Sequence, residues 1–131
     1  MSNTAQSERK TYPRSLKGKV ALVVGGAGAI GAATSRMLAA AGATIVVTHM
    51  DTERDTQAAK TLIAELGAPH AAYVANVVDT ASLVALRTVL EKEHGRLDIL
   101  VNAAGFTKPV PHADLDALTD ELIDLMLQVN W

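Results

Sequence analysis

The chain has no cysteine among its 131 residues, so a disulfide framework and a thiol nucleophile are both excluded. Aromatic residues make up only 3%. A core must therefore be built from Ala, Val, Leu and Ile, which suits slim helices lying on a parallel sheet. There is little excess charge: 12 Lys and Arg stand against 14 Asp and Glu, for a formal net charge of −2. That balance argues against nucleic acid or an anionic membrane as the main partner. No apolar run approaches the roughly 20 residues of a membrane span. The polar opening Met1–Ser15 lacks the apolar stretch of a secretion signal. A cytoplasmic location is the expectation. The four histidines, His49, His70, His94 and His112, have no ligand spacing, so no metal site is expected.

What is present is apolar surface: 49% hydrophobic residues against 20% charged, in a chain of one-domain length. Residues 1–15 read as a loose tail with Pro13 near its end, and residues 16–131 as the domain. Val20–Val24 is a continuous β-branched run, as expected of a strand buried on both faces. Ile30, Ala33, Met37, Leu38 and Ala41 follow at helical spacing up to Gly42. Thr44–Thr48 is a second strand. Thr52 can cap the next helix, with Asp55 three residues on and the stripe Ala59, Leu62, Ile63 and Leu66 before Gly67. Ala71–Ala75 is a third strand. A helix capped by Asp79 or Thr80 carries Leu83, Leu86, Val89 and Leu90 up to Gly95, and Leu97–Val101 is a fourth strand. Asn102–Pro111 reads as a loop. A last helix from about Thr119 places Leu118, Leu122, Leu125, Met126 and Val129 on one side. Strands alternating with helices across short connections predict an α/β fold: a Rossmann-type, doubly wound parallel sheet with helices on both faces.

The segment Gly25-Gly26-Ala27-Gly28-Ala29-Ile30-Gly31 joins the first strand to the first helix. That is the setting a phosphate-binding turn requires. Gly25 lets the chain leave the strand tightly. Small residues at Gly26, Ala27, Gly28 and Ala29 let backbone N–H groups approach a diphosphate, and the helix N-terminus adds free donors and a positive dipole end. Gly31 lets the first helical turn pack on the strand. The other reading of the same glycines is a tight joint with no ligand. The strand before, the helix after and the second strand at the right distance favour the diphosphate, hence NAD or NADP as cofactor.

A group at the tip of the second strand should meet the adenosine ribose. An acid there accepts from the 2′-OH and repels a 2′-phosphate, whereas an arginine attracts that phosphate. The tip holds His49, followed by Met50. Asp51 lies twenty residues past Gly31 and is either a ribose contact or a helix-cap and surface charge. Arg54 falls in the next helix. The choice between NAD and NADP stays open at this point.

With these residues placed, the chain resembles the short-chain dehydrogenase/reductase family. Leu16–Val23 is similar to that family's first strand, and the turn to its T-G-x-x-x-G-[IL]-G pattern, with Val24 in place of the Thr and Ala29 in place of the middle Gly. Asn76-Val77-Val78-Asp79 resembles its adenine-contacting D-V-x-D, with Asn76 replacing the first Asp. Asn102-Ala103-Ala104-Gly105 resembles N-[NA]-A-G, which in the family stabilises the sheet and lines the cofactor. Gln128-Val129-Asn130 resembles the helix segment whose Asn joins a proton relay. The resemblance implies that Asn130 is the one catalytic-relay residue of this chain. Asn130 as a helix cap and Asn102 as a structural loop anchor remain the plainer readings. His112 is either a pocket-border residue or a solvated loop histidine.

The resemblance further implies an oxidoreductase that moves a hydride between the nicotinamide and a small carbonyl or alcohol, using a Tyr, a Lys four residues later and a Ser. The only tyrosines are Tyr12 and Tyr73, with Leu16 and Val77 four residues on, so no Tyr-x-x-x-Lys is present. The expectation is therefore the cofactor-binding half of a reductase, inactive alone, whose catalytic half lies outside the 131 residues. The alternatives are a non-catalytic dinucleotide-binding or regulatory module, and an interaction protein using the fourth strand as an open edge. The family implies a homo-oligomer, dimer or tetramer. The stripe Leu118, Leu122, Leu125 and Val129 serves either core packing or a subunit contact.

Overall fold

The computed structural model describes residues 15–131. The polar tail expected over residues 1–15 falls outside these but for its last residue. The elements run β1 Val20–Val24, α1 Ala29–Ala40, β2 Thr44–His49, α2 Glu53–Leu66, β3 Ala71–Val74, α3 Thr80–Glu93, β4 Ile99–Asn102, a 3-10 turn Leu115–Ala117 and α4 Asp120–Asn130. All strand pairs are parallel, in the order β3-β2-β1-β4. Leu22 at the centre of β1 stands opposite Val46 on one side and Leu100 on the other.

Because side chains alternate along a strand, β1 feeds two cores. Val20, Leu22 and Val24 join Val46, Ala75 and the α3 residues Leu86 and Leu90 on one face. Ala21 and Val23 join Ile45, Val47 and Leu62 on the other, with Leu38 and Ala39 of α1 packed against them. Each fully buried Val or Ile contributes about 1.5–3 kcal/mol of hydrophobic stabilisation, which is why the β-branched runs fall at the centre of the sheet.

Two turns of the chain step outward from β1 through β2 to β3, and α3 then carries it back across β1 to β4. The direction reverses between β1 and β4. In open parallel sheets the crevice above such a reversal, at the carboxyl ends of the strands, is where ligands bind. At the opposite end Asp98 ties β4 to β1: its carboxylate accepts the Val20 N–H at 2.9 Å and pairs with Arg96 at 2.6 Å. The bond from Arg96 and the backbone bond from Val20 hold its carboxyl far below the usual carboxylate range.

Several expectations are corrected. The ladder of β4 begins at Ile99, opposite Ala21, so Leu97 lies before the strand and Asn102 within it; Asp98 is occupied as the corner. Tyr73, expected in a buried strand, lies on an edge strand and is only half-buried. In α1 the residues turned fully inward are Gly31 and Ser35, while Ile30 and Met37 are 76% and 60% exposed. The helix lies too close to the glycine turn for a large side chain between them. No residue of α4 is buried, so its apolar stripe covers no core among the described residues.

Candidate functional site

The glycine turn is compressed from three sides. Gly25 has φ +72°, and a Cβ there would come within 2.7 Å of the Ala104 backbone, in the loop after β4. A Cβ on Gly26 would meet the Val47 side chain at 2.5 Å, and one on Gly31 would run into the Gly25 carbonyl. These glycines are thus required by the protein's own packing.

Their N–H groups are not all available. Gly25 donates to Thr48 Oγ1 (3.2 Å), Gly26 to the Thr48 carbonyl (3.0 Å) and Gly28 to the Gly25 carbonyl (3.1 Å). This narrows the expectation that the whole stretch from Gly26 to Ala29 offers amides. The first intrahelical bond runs from Ala32 to the Gly28 carbonyl at 2.8 Å, which leaves the N–H groups of Ala29, Ile30 and Gly31 as the open donors of the first turn.

The other three α-helices are capped by side chains: Thr52 accepts from Asp55 N–H, Asp79 from Ala81 N–H and Thr119 from Leu122 N–H. By contrast α1 has glycine at its cap, no side-chain cap bond and no acid in its first turn. Its positive end lacks a built-in counter-charge.

Gly28, the cap residue, lies on the wall of a cavity of about 620 Å³ at the carboxyl ends of β1, β2 and β4. This is within the usual range for a small-molecule or cofactor site. Of the residues read from the sequence, Gly25, Ala27, Gly28, His49 and Met50 line it. So do Asn76, Val77, Ala103, Ala104 and Gly105. Four stretches distant in sequence are thereby brought to one place. Gly26, Ala29, Ile30, Gly31, Asp51, Asn102 and Asn130 are not on its wall. Gly26 and Gly31 are absent because they pack inward, and Asp51 because it turns into solvent ahead of α2. Thr48, Arg54, Asp55, Phe106, Leu125 and Val129 are also on the wall. Of these, Thr48 and Phe106 carried no sequence signal.

The amides have local duties. Asn76 Oδ1 accepts the Val78 N–H (3.2 Å), and its own N–H donates to Ser82 Oγ (2.9 Å), fixing the β3–α3 turn. Asn130 makes a double bond pattern with one residue: its Oδ1 accepts the Phe106 N–H at 2.8 Å and its Nδ2 donates to the Phe106 carbonyl at 2.7 Å. It therefore clasps the loop after β4 to α4, as a positioning residue. Asn102 lines a different, apolar groove of about 650 Å³ between α3 and β4, with Leu22, Leu86, Leu90 and Leu100. That groove is mostly apolar, with Arg87, Glu91 and Arg96 also on its wall. His49 is buried at the end of β2, with Nδ1 2.9 Å from the Met50 carbonyl oxygen. His112 lies outside the cavity lining.

Residues 19–131 match the family model described as short chain dehydrogenase. The chain is 40% identical over 103 residues to D-threitol dehydrogenase of Mycolicibacterium smegmatis, a match covering 76% of this chain and 38% of that protein. It is 33% identical over 104 residues to the short-chain dehydrogenase/reductase homolog YusS of Bacillus subtilis, covering 79% of this chain and 95% of that protein. The fold of a Burkholderia xenovorans protein described as a short-chain dehydrogenase/reductase superposes with a TM-score of 0.79 at 30% identity, over 86% of this chain and 46% of the other. Beside the first of these relatives the chain spans well under half the length, whereas it spans nearly all of the YusS homolog. Among the described residues no helix is long and apolar enough to cross a membrane.

Proposed function

The chain belongs to the short-chain dehydrogenase family, and from that premise we propose that it is the NAD(P)-binding half of an oxidoreductase acting on a small carbonyl or alcohol. The observation that carries this reading is the uncapped first turn of α1 beside a cavity at the sheet's reversal point. The exposed amides of Ala29 and Ile30, next to the wall residue Gly28, would hold the diphosphate, and the backbone room at Gly28 admits it: even an added Cβ would meet only the Gly25 carbonyl, at 3.4 Å. Asn76 and Val77 would flank the adenine, His49 and Met50 the ribose, and Ala103, Ala104 and Gly105 the nicotinamide end. A bound nicotinamide dinucleotide supplies hydride exchange with the substrate. This chain's own residues bind, orient and wall off water. Asn130 keeps the Ala103–Phe106 wall in place through its clasp on Phe106.

The proton donor is not among these residues. Neither Tyr12 nor Tyr73 has a Lys four positions on. The 131 residues are accordingly proposed to bind dinucleotide without turning substrate over. The parent enzyme is proposed to be cytoplasmic and, as the family resemblance implies, to self-associate as a dimer or tetramer, with the uncovered apolar stripe of α4 as the candidate contact. A second reading, a stand-alone dinucleotide-binding or regulatory module, is favoured by the YusS homolog, which has nearly the same extent. Calorimetric titration of the folded chain with NAD and NADP tests the binding claim, and absence of heat with both would refute it. The intact mass of the natural product separates the two readings. Extra residues bearing a Tyr-x-x-x-Lys would identify the enzyme, and a natural stop after Trp131 would identify the module. Turnover by the 131-residue chain would overturn the proposed inertness.

A further inference from the structure

We propose that Arg54 makes this site select the 2′-phosphorylated dinucleotide, NADP, over NAD; the inference rests on the dinucleotide-binding reading and extends it. Four observations converge. First, β2 ends in His49, so no carboxylate stands at the strand tip to accept from a ribose 2′-OH or to repel a phosphate. His49 is itself 8% exposed and held against the Met50 carbonyl. Second, Asp51, the acid closest to that tip in sequence, is not on the cavity wall. Third, α2 begins immediately after, capped by Thr52, and its first turn places Arg54 on the wall beside His49 and Met50. Fourth, Arg54 takes part in no ion pair among the described residues, whereas Arg36, Arg87 and Arg96 each do.

The chemistry fits a phosphate monoester. Such a group carries a charge of about −1.5 to −2 at neutral pH. A guanidinium presents a planar fork that binds it through two parallel hydrogen bonds. Asp55 shares the wall and offsets part of the charge. It stands, however, in the first turn of α2, where the helix dipole partly compensates an acid. An unpaired guanidinium with no acid at the strand tip favours the 2′-phosphate over the bare hydroxyl.

The test is calorimetric titration of the 131-residue chain with NAD and NADP, and with the shorter probes adenosine 2′,5′-bisphosphate and 5′-AMP. The native chain is expected to bind NADP at least roughly tenfold tighter than NAD, the effect of one charge-assisted hydrogen bond. Arg54→Gln should bring the NADP-to-NAD affinity ratio towards one. Arg54→Lys should recover part of it, keeping the charge without the fork. The salt dependence of NADP binding should flatten in Arg54→Gln. Equal or tighter binding of NAD by the native chain overturns the proposal, as does an unchanged ratio in a folded Arg54→Gln protein. If neither dinucleotide binds, the binding reading itself has failed. If NAD binds without preference for the phosphate, only the role of Arg54 has.

Discussion

The two neighbours of β1 are almost the same strand in composition and opposite in circumstance. On one side β2 contributes Ile45, Val46 and Val47, all at 0% exposure, with helices over both faces. On the other, β4 contributes Ile99, Leu100 and Val101, and Leu100 is 56% exposed over an open groove. Burial is thus decided by what lies over a strand, and apolar composition alone does not fix it. The same asymmetry organises the candidate site. The β2 side supplies a rigid, over-determined glycine turn, and the β4 side supplies a wall held by one clasp, Asn130 on Phe106.

The comparison breaks most visibly at the turn. Gly31→Val forces a side chain into the Gly25 carbonyl with no space to yield. It should cost about 3 kcal/mol or more and abolish dinucleotide binding. An unchanged urea midpoint would show that α1 is not pressed on the turn as described.

Next comes a matched pair of truncations. Ile45→Ala on the closed side should cost about 2–5 kcal/mol through the cavity it leaves. Leu100→Ala on the open side should cost well under about 1 kcal/mol. Equal losses in chemical denaturation would erase the distinction between the two sides.

A subtler effect is pH-dependent and belongs to the closed side. His70 Nδ1 accepts the Ile45 N–H at 2.9 Å, and burial pushes the His70 pKa below its ordinary 6.5. The folded state therefore binds its proton less readily than the unfolded one. The stability this contributes is full above pH 6.5, declines as pH falls below that value, and is gone below the folded pKa. Replacing His70 with Ala should lower stability at pH 8 by about 1 kcal/mol, one hydrogen bond, and flatten the acid slope. Identical slopes for both proteins between pH 5 and 8 would count against it.

The smallest expected effect is on the open side. Leu100→Lys should leave monomer stability within about 0.5 kcal/mol. If β4 is an assembly edge, sedimentation should show weaker self-association. Unaltered association would place the contact elsewhere, with the exposed Leu127 and Ile123 of α4 the next residues to change.

Much of this was legible before any coordinates. The β-branched runs, the helix stops at Gly42, Gly67 and Gly95, and the cap Thr52 all follow from local chemistry, and the structure has them in place; of Asp79 and Thr80 it is Asp79 that caps α3. The glycine turn was legible because only glycine tolerates φ +72° at Gly25. Three things were not legible. The inward face of α1 uses Gly31 and Ser35, because closeness to the turn outranks hydrophobicity there. The donors at Gly25 and Gly26 are taken by Thr48, a partner on the neighbouring strand, and that of Gly28 by the Gly25 carbonyl within the turn. Arg54 reads along the chain only as a residue of the next helix, and it is the bend from β2 into α2 that puts it on the cavity wall.

Local sequence determined which segments are strands, which are helices and where the phosphate-sized turn lies, because propensity, capping and left-handed backbone act over a few residues. The tertiary structure alone decided which apolar faces are covered, which amides stay free and which charges share one cavity. Those outcomes depend on distances between groups 23 to 79 residues apart, which no local rule sets.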